Sequence, residues 1–342
     1  MKKKSLNVKN RSLKRSTFFL NQKFIKKIYK KFEKNIDGVS RSLIAVSGGP
    51  DSLSLAFLAK CYSRLNSVKF NYVIVDHKIR KESSLEAKKV VRLLKQIGIN
   101  SKILVWKGKK PHSNIQKIAR NTRYNLLLRE SNRLKIKTIL LGHQLNDLHE
   151  NFFIRMARGS GLKGLASLGK KSELLGIKLL RPLIEVEKKD LEKLALKVFK
   201  TFIEDPSNKN RDFTRVRIRQ ILKEFQNEGL DTKKIDLTIN NLRSANDALN
   251  FYTKKNILEN TTYIDKKYTY FIKKNFFNNP DEVLLRSLSK ILQNLSGRYY
   301  APRGKKIKRL ILMMKSQNEV QKTTLGGCVL QKVHETVIIN KE

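Results

Sequence analysis

The sequence predicts an α/β fold, in which a doubly wound parallel sheet is followed by a second, smaller and mainly helical domain. Short β-branched runs alternate with segments of helical period as far as Phe225, and such alternation is typical of parallel sheets. At 342 residues the chain also exceeds the usual size of one domain. The expected organisation is a basic N-terminal arm at 1–38, an α/β domain at 39–226, and the second domain at 227–342, which ends in a short β element.

Five apolar runs are the expected strands of the sheet, at residues 43–46, 70–75, 102–106, 138–141 and 177–180. Ser83 and Ser113 each open a segment with the spacing of a helix capping box, and Gly98 and Gly159 stand where two helices should stop. The helices of the first domain are predicted to begin near residue 50 and to span about 83–98, 113–129 and 146–158. Those of the second domain are predicted at 232–256, 280–295 and 303–315, before a β element at 323–339.

A short loop of glycines and serines follows the first predicted strand. Its sequence is Ser47-Gly48-Gly49-Pro50-Asp51-Ser52. Glycines let backbone N–H groups approach an anion closely, serines add hydroxyl donors, and the helix that follows turns unpaired amides towards the loop. A plain turn between a strand and a helix is the alternative, but the complete strand, loop and helix context favours binding of a pyrophosphate group.

The carboxylate of Asp51 limits the kinds of phosphate chemistry that this loop can support. A Walker-type loop would carry Lys and then Ser or Thr after its last glycine, whereas Pro50, Asp51 and Ser52 follow here. Ordinary γ-phosphoryl transfer is therefore disfavoured. A carboxylate repels bare phosphates, so Asp51 suits a cradle in which Mg²⁺ or an ammonium group lies between the two.

The charge of the chain points to a polyanionic partner. Lys and Arg total 74 against 29 Asp and Glu, which gives a formal net charge of +45. A lysine-rich proteome would also raise this charge, but arginines recur within structured segments, where they suit phosphate contacts. The candidate nucleic-acid contacts are Arg155, Arg158, Arg211, Arg215, Arg217 and Arg219.

The cysteines and the apolar runs exclude other classes of protein. Cys61 and Cys328 are the only cysteines and lie far apart, so the sequence has no disulfide framework and no zinc-ligand spacing. No apolar run approaches the length of a membrane span, and the N-terminus lacks the apolar core of a secretory signal. We therefore expect a cytoplasmic protein with no membrane partner.

Polar residues follow the predicted strands at the edge where ligands collect in a doubly wound sheet. Asp76 and His77 follow the second strand, and His143 follows the fourth. Asp147 and Glu150 then share one helix face just beyond His143. Two carboxylates near a phosphate cradle can hold Mg²⁺ or a cationic amine, although acids in the first turn of a helix also simply complement its dipole.

Several segments resemble known signatures, in the same order along the chain. The loop at 47–52 resembles the SGGxDS signature of the PP-loop ATP pyrophosphatase superfamily, whose members cleave ATP between the α and β phosphates and adenylate a substrate. The further segments are 75–83 (VDHxxRxES), 119–124 (ARxxRY), 142–151 (GHxxDDQxET), 158–162 (RGSGL), 181–183 and 204–208. Over residues 42–219 the chain is therefore similar to the tRNA(Ile)-lysidine synthetase family.

This resemblance implies a ligase that uses ATP to adenylate the wobble cytidine in the CAU anticodon of an isoleucine tRNA. Free L-lysine then displaces AMP, which gives lysidine and changes codon recognition from AUG to AUA. The α/β domain would be the ATP-binding catalytic domain and the second domain would bind tRNA. ATP and Mg²⁺ are the implied cofactors, and a homodimer is one assembly open to the chain.

The resemblance also implies roles for the site residues. The loop at 47–52 would bind the ATP phosphates, with Asp51 and Asp147 holding Mg²⁺. Arg120 or Arg123 would offset negative charge during transfer. The implied catalytic residues are Asp51, Arg120, Arg123, His143, Asp147 and Glu150; Asp147 and Glu150 would hold the metal or orient the lysine, with His143 as a polar support.

Within the segment 142–151, Asn146, Leu148 and Asn151 replace an acid, a glutamine and a threonine of the family pattern, and Lys78 and Ile79 replace its usual Gly-Leu. Three alternative functions stay open. A PP-loop enzyme that thiolates tRNA is disfavoured by the sparse cysteines, and an amidating ligase for a small metabolite would leave the positive charge unexplained. An RNA-binding module without catalysis is the third, and release of pyrophosphate would exclude it.

Overall fold

The structure is a computed structural model that describes residues 19–342 except 37, 67, 81, 109–114, 299–300 and 317–321. The chain divides into two compact units, with the division between Asp236 and Leu237. Within the described residues, no helix combines the length and the apolar character that a membrane crossing requires. The start of the capping box predicted at Ser113 lies outside the described residues.

The first unit alternates strands with helices, as predicted. In chain order it contains α1 (Lys23–Asn35), β1 (Arg41–Ala45), α2 (Pro50–Leu65), β2 (Lys69–Asp76), α3 (Ser83–Gln96), β3 (Ser101–Val105), α4 (Ile115–Arg133), β4 (Thr138–Leu140), α5 (Leu145–Ala157), α6 (Leu162–Leu165), β5 (Lys171–Leu174), β6 (Ile177–Leu180), α7 (Lys188–Phe199) and α8 (Thr214–Asn227). Each of the five predicted strands is present, with ends that differ by at most two residues.

These strands form one sheet in the order β3-β2-β1-β4-β6-β5. Every neighbouring pair is parallel except β5 with β6, which form an antiparallel hairpin at the edge. Both faces of the sheet are covered: Ile44 is buried on one side and Leu43 on the other. The chain winds outwards from β1 in both directions, so ligands are expected beyond the carboxyl ends of β1 and β4.

The N-terminal segment is not only a basic arm, because it contains the packed helix α1. The sequence predicted a basic arm over 1–38, but Ile25, Ile28 and Phe32 of α1 are buried in the same apolar cluster as Ile44. The apolar residues recur at helical spacing between the lysines, whose long stems can lie along the surface while the ammonium groups stay in water. Helices α6, α7 and α8 and the short, polar strand β5 were likewise not predicted.

The second unit combines helices with an antiparallel sheet. It contains most of α9 (Thr232–Asn260), followed by β7 (Thr261–Ile264), β8 (Thr269–Ile272), α10 (Asp281–Ser296), α11 (Gly304–Lys315), β9 (Thr323–Thr324), β10 (Cys328–Val333) and β11 (Thr336–Lys341). The strand order is β7-β8-β11-β10-β9 among the described residues. The predicted helices and C-terminal β element are present, while β7 and β8 enlarge that element beyond the prediction. The division between the units falls inside α9, later than the predicted boundary at 227.

Candidate active site

The loop after β1 is held in shape by one of its own serines. The backbone amides of Ser47 and Gly48 each donate to the Ser52 hydroxyl at 3.1 Å, and this hydroxyl lies 3.0 Å from the Gly49 carbonyl oxygen. Ser52 is buried, whereas Ser47 is exposed. The sequence predicted both hydroxyls as phosphate donors, but Ser52 is already engaged in the turn and serves to shape the cradle.

The two glycines of this loop have different roles. Gly48 has φ +93°, and a Cβ placed there would lie 2.4 Å from Val90 and 2.8 Å from Ile203, so only glycine fits. Ile203 also donates its backbone N–H to the Gly48 carbonyl at 2.9 Å, a contact that sequence patterns did not indicate. At Gly49, by contrast, a Cβ would meet nothing closer than 4.0 Å, so an anion can approach the backbone there.

The N-terminus of α2 faces the same edge of the sheet. Helix α2 begins at Pro50, so the amides of Asp51 and Ser52 in its first turn have no partner within the helix. The end of β4 lies against this turn, since a Cβ on Gly142 would come within 3.1 Å of the Ser52 Cα atom. Two strand ends and a helix N-terminus therefore meet where a phosphate group can bind.

Asp51 is strongly perturbed by this environment. Burial raises the pKa of its carboxyl to about 7, and the negative charge of Asp147 adds to the shift, while Lys188 opposes it. The buried Asp51 Oδ1 has no hydrogen-bond partner in the described part of the chain. A carboxylate oxygen left in this way beside a second acid is suited to a cation, which would replace the water lost on burial.

Asp147 helps to cap the N-terminus of α5. Its Oδ2 accepts a hydrogen bond from the Gln144 backbone at 3.2 Å, and the Gln144 side chain accepts from the Asn146 amide at 2.6 Å. This capping arrangement fixes the start of α5 just beyond β4. The structure thus supports the simpler interpretation of Asp147 as a first-turn acid, while the charge interaction with Asp51 places it beside the loop.

Glu150 is paired with Arg219 of α8. The Arg219 Nε donates to Glu150 Oε1 at 2.5 Å, and Nη2 donates to Oε2 at 3.3 Å. Burial raises the pKa of Glu150, and Arg219 opposes that rise. Arg219 was predicted to contact RNA from the surface, but this bidentate pair holds it inside the site, because an unpaired buried carboxylate would be costly. Glu150 is correspondingly less free to bind a metal than the sequence suggested.

His143, at the end of β4, is a neutral side chain surrounded by arginines. Burial lowers the pKa of His143 well below its usual value, and the positive charges of Arg181, Arg123, Arg215 and Arg120 lower it further. Its Nδ1 has no hydrogen-bond partner among the described residues. His143 therefore fits the predicted role of polar support, whereas a proton donor near neutral pH would need a higher pKa.

The arginines around His143 come from three different segments. Arg120 and Arg123 lie on α4, and the Arg120 guanidinium stands 5.2 Å from the centre of the Tyr124 ring. Arg181 directly follows β6, is buried, and donates to the Gly169 carbonyl at 3.0 Å. The sequence assigned no role to Arg181; its position at a strand end was the available signal. Together these cations can stabilise negative charge at the site.

The remaining predicted RNA contacts lie on the surface of the first unit. Arg155 and Arg158, at the end of α5, and Arg211 and Arg215 are all exposed. Arg217 is exposed too, but its Nη1 donates to the Arg211 and Asp212 carbonyls at 2.9 Å each, which fixes the loop before α8. Four of the six predicted cations are thus exposed without these internal ties.

The class of protein follows from the site: a glycine turn and a helix N-terminus meet at the switch point of a parallel sheet, beside buried carboxylates. These are the features of an ATP-binding PP-loop protein, and the PP-loop domain family matches residues 20–225. The chain is 32% identical over 301 residues to tRNA(Ile)-lysidine synthase of Wolbachia pipientis wMel, across 87% of this chain and 70% of that protein. It is 31% identical over 288 residues to tRNA(Ile)-lysidine synthase of Ruegeria pomeroyi, across 84% and 68%. The chain belongs to the tRNA(Ile)-lysidine synthase family.

A solved structure shares the fold at lower sequence identity. It is the U34-tRNA thiolase NcsA from Methanococcus maripaludis with its [4Fe-4S] cluster, with a TM-score of 0.55 and 18% identity, across 65% of this chain and 78% of that chain. In the present chain the two cysteines are buried in separate units, Cys61 in the first and Cys328 in the second. The likeness therefore concerns the fold alone.

Proposed function

We propose that this protein joins free lysine to C2 of the wobble cytidine in the CAU anticodon of an isoleucine tRNA, at the expense of ATP. The observation that carries the proposal is the cradle at 47–52 beside buried acids and arginines, in a chain that matches lysidine synthases over most of its length. The product, lysidine, would pair with A in place of G, so that the codon read changes from AUG to AUA.

The proposed reaction has two steps. First, the C2 oxygen of cytidine attacks the α-phosphorus of ATP, the bond to the β-phosphate oxygen breaks, and pyrophosphate leaves. The C2 carbon, a poor electrophile before, now carries AMP as a leaving group. Second, the neutral ε-amine of lysine attacks C2, the C–O bond breaks with release of AMP, and the nitrogen loses a proton.

The loop and the arginines serve the first step. The accessible backbone at Gly49 and the first-turn amides of α2 would bind the phosphates, while the Ser52 hydroxyl keeps the turn in shape. Arg120 and Arg123 lie close enough to His143 to depress its pKa, so they can offset the charge that grows on the transferred phosphorus. A neutral His143 adds a polar surface without competing for the phosphates.

Asp51 and Asp147 fit a magnesium ion better than any other pair in the site. Mg²⁺ prefers carboxylate oxygens and takes one or two from the protein, with substrate phosphates supplying others. The unpartnered Asp51 Oδ1 and the neighbouring Asp147 meet that need, although no group of three or more potential ligands is assembled among the described residues. Bound there, Mg²⁺ would neutralise phosphate charge and favour departure of pyrophosphate.

Glu150 and Arg219 would act on the second substrate. Free lysine carries a carboxylate and two amines, so a site for it needs both signs of charge. The Glu150–Arg219 pair offers both beside Asp147, and a cationic amine can be oriented there before it loses its proton. We extend the proposal to a homodimer and to the cytoplasm, where ATP, lysine and tRNA occur together.

Transfer of labelled lysine tests this function. Purified protein is given labelled lysine, with and without ATP, and either the isoleucine tRNA or the methionine tRNA that shares its CAU anticodon. Labelling of the isoleucine tRNA alone, and only with ATP, is expected. Release of pyrophosphate without labelling would keep the adenylation but contradict lysine as the nucleophile.

A pair of variants tests the role of Asp51. Asp51→Ala should abolish pyrophosphate release but keep most of the affinity for tRNA, because it removes an acid and no cation. Asp247→Ala, at an exposed position of α9, is the matched control and should change neither. An equal loss of tRNA binding in Asp51→Ala would contradict the assignment.

One alternative function, an RNA-binding module without catalysis, is suggested by specific substitutions. It rests on Asn146 and Leu148, which replace an acid and a glutamine of the family pattern. In the structure the Asn146 Oδ1 accepts a hydrogen bond from the Lys188 amide at 3.2 Å, which joins α5 to the start of α7. A carboxylate could accept the same bond, so this substitution leaves the scaffold intact. Absence of both labelling and pyrophosphate release would favour the binding module.

A further inference from the structure

One cavity of the first unit lies away from the nucleotide loop. It has a volume of about 740 Å³ and is lined by the amino-terminal ends of β1 and β4, by Lys178 and Leu180 of β6, and by β5 and the end of α1. The loop at 47–52 follows the carboxyl end of β1, so the five residues of that strand separate the two regions by about 16 Å. The cavity is therefore distinct from the candidate active site.

The charged side chains that line this cavity are predominantly basic. The cations are Arg41, Lys135, Lys137, Lys171 and Lys178, and Glu173 is the acid among the lining residues. All six are exposed to solvent. None of the five cations has an acidic partner within 4.0 Å in the part of the chain that the structure describes. Even Glu173, which faces Lys178 across the hairpin, forms no ion pair there.

A position at a helix terminus accounts for only one of these cations. Lys135 lies just after α4, where a positive charge complements the carbonyl end of a helix. The other four belong to strands or to the residue that precedes a strand, so no helix dipole explains them. Cations that line one concave surface repel one another. An anion in the cavity would relieve that repulsion.

We propose that this cavity is a second phosphate-binding site, which takes a ligand with several phosphate groups. A volume of about 740 Å³ lies within the usual range for ligand pockets, roughly 300–1,000 Å³. The Arg41 guanidinium can bind a phosphate through two parallel hydrogen bonds, and the lysines add mobile point charges. Two sources share this chemistry: the backbone of a bound RNA beyond the residues held in the active site, and a free polyphosphate.

A charge-matched pair of variants tests the site. The cavity variant carries Lys137→Gln and Lys178→Gln, and the control carries Lys88→Gln and Lys89→Gln on the exposed face of α3. Both lose two positive charges, so a general effect of net charge appears equally in each. Thermal unfolding shows whether each variant is folded, which we expect because all four lysines are exposed.

Binding measurements with two ligands distinguish the RNA backbone from a free polyphosphate as the occupant of the cavity. Inorganic tripolyphosphate is titrated into each protein by calorimetry, and binding of the isoleucine tRNA transcript is measured as a function of salt. Because both variants keep the nucleotide loop intact, the difference between them isolates the cavity. Neither measurement requires turnover, so failure of the proposed ligase reaction would not affect the result.

Weaker tripolyphosphate binding in the cavity variant alone, by about tenfold or more, with an unchanged salt slope for tRNA, identifies a free polyphosphate ligand. A salt slope for tRNA that is shallower by about 1.4 to 1.8 in the cavity variant alone identifies the RNA backbone, because two phosphate contacts are lost. Equal behaviour of the cavity variant and the control for both ligands would overturn the proposal.

Discussion

Arg219 and Glu150 form a buried ion pair that joins α8 to α5, with 2.5 Å between Arg219 Nε and Glu150 Oε1. The Glu150 side chain is 3% exposed and that of Arg219 is 29% exposed. The pair thus anchors the last helix before the second unit to the helix that carries Asp147. It fixes the position of α8 against α5 at the candidate active site, so removing the pair should lower both the free energy of unfolding and the activity.

Arg219→Ala should lower the free energy of unfolding by about 3 kcal/mol or more, because it leaves a buried carboxylate without its partner. Unfolding in urea measures this loss. Adding Glu150→Gln to Arg219→Ala should restore part of the stability, since a neutral amide is less costly to bury than an unpaired charge. A loss below about 1 kcal/mol in the single variant would contradict the importance of the pair.

The two glycines of the loop should respond differently to alanine. Gly48→Ala is expected to cost roughly 1–3 kcal/mol of stability, because φ is positive and the new Cβ would meet Val90 and Ile203. Gly49→Ala should leave stability within about 0.5 kcal/mol, since φ is −71° and the surrounding space is open. Thermal melts compare the two variants.

The same pair of glycine variants also tests the phosphate cradle. If phosphates approach the backbone at Gly49, then Gly49→Ala should weaken ATP binding although the protein remains as stable as the wild type. Calorimetric titration with ATP measures that affinity. Wild-type affinity in Gly49→Ala would show that the nucleotide binds elsewhere.

Arg215 and Arg217 differ in what they contact, although both are exposed on α8. Arg215→Ala should make the salt dependence of tRNA binding shallower by about 0.7 to 0.9, the loss expected for one phosphate contact, and leave stability unchanged. Arg217→Ala removes the same charge but also the hydrogen bonds to the Arg211 and Asp212 carbonyls, so it should cost about 1 kcal/mol of stability. Identical behaviour of the two variants in both measurements would argue against this division.

Asp76, at the end of β2, should contribute stability that depends on pH. Burial by itself would raise the pKa of Asp76, but hydrogen bonds from the Ser84 hydroxyl, the Lys78 amide and the Ser83 hydroxyl hold it below its usual value. Because the pKa is lower in the folded state than in the unfolded state, the stabilisation is complete above about pH 4 and is lost as pH falls further.

Comparison with Asp76→Asn tests this dependence. At pH 7 the variant should be less stable by about 2 kcal/mol, the value of hydrogen bonds to a charged acceptor. The difference from the wild type should narrow as pH falls below about 4, because protonation of the carboxyl then favours the unfolded state. Urea unfolding at several pH values measures it, and a difference that stays constant down to pH 2 would contradict the assignment.

Much of the first unit was predictable because local patterns and tertiary packing agree there. The strands β1, β2, β3, β4 and β6 are short apolar runs, and a strand buried on both faces requires such a run. The stops at Gly98 and Gly159 were also predictable, since both residues adopt the positive φ that ends a helix. The strands β7 and β8 escaped notice because their polar and aromatic residues follow a long helix without a turn signal that marks the change.

The sequence by itself determined the class of fold, the loop of glycines and serines, and the acids and arginines that follow the strands. Those features depend on residue type and spacing along the chain. Only the tertiary structure decided that Ser52 shapes the loop, that Arg219 neutralises Glu150 and that Ile203 lies against Gly48. Two of these contacts join residues that are distant in sequence, and the third is made by a hydroxyl to the backbone of its own loop. The sequence allows many such contacts, and side-chain packing in the folded protein determines which of them form. The basic cavity at the other end of the sheet arises in the same way, because its cations come together only when separate strands are placed side by side.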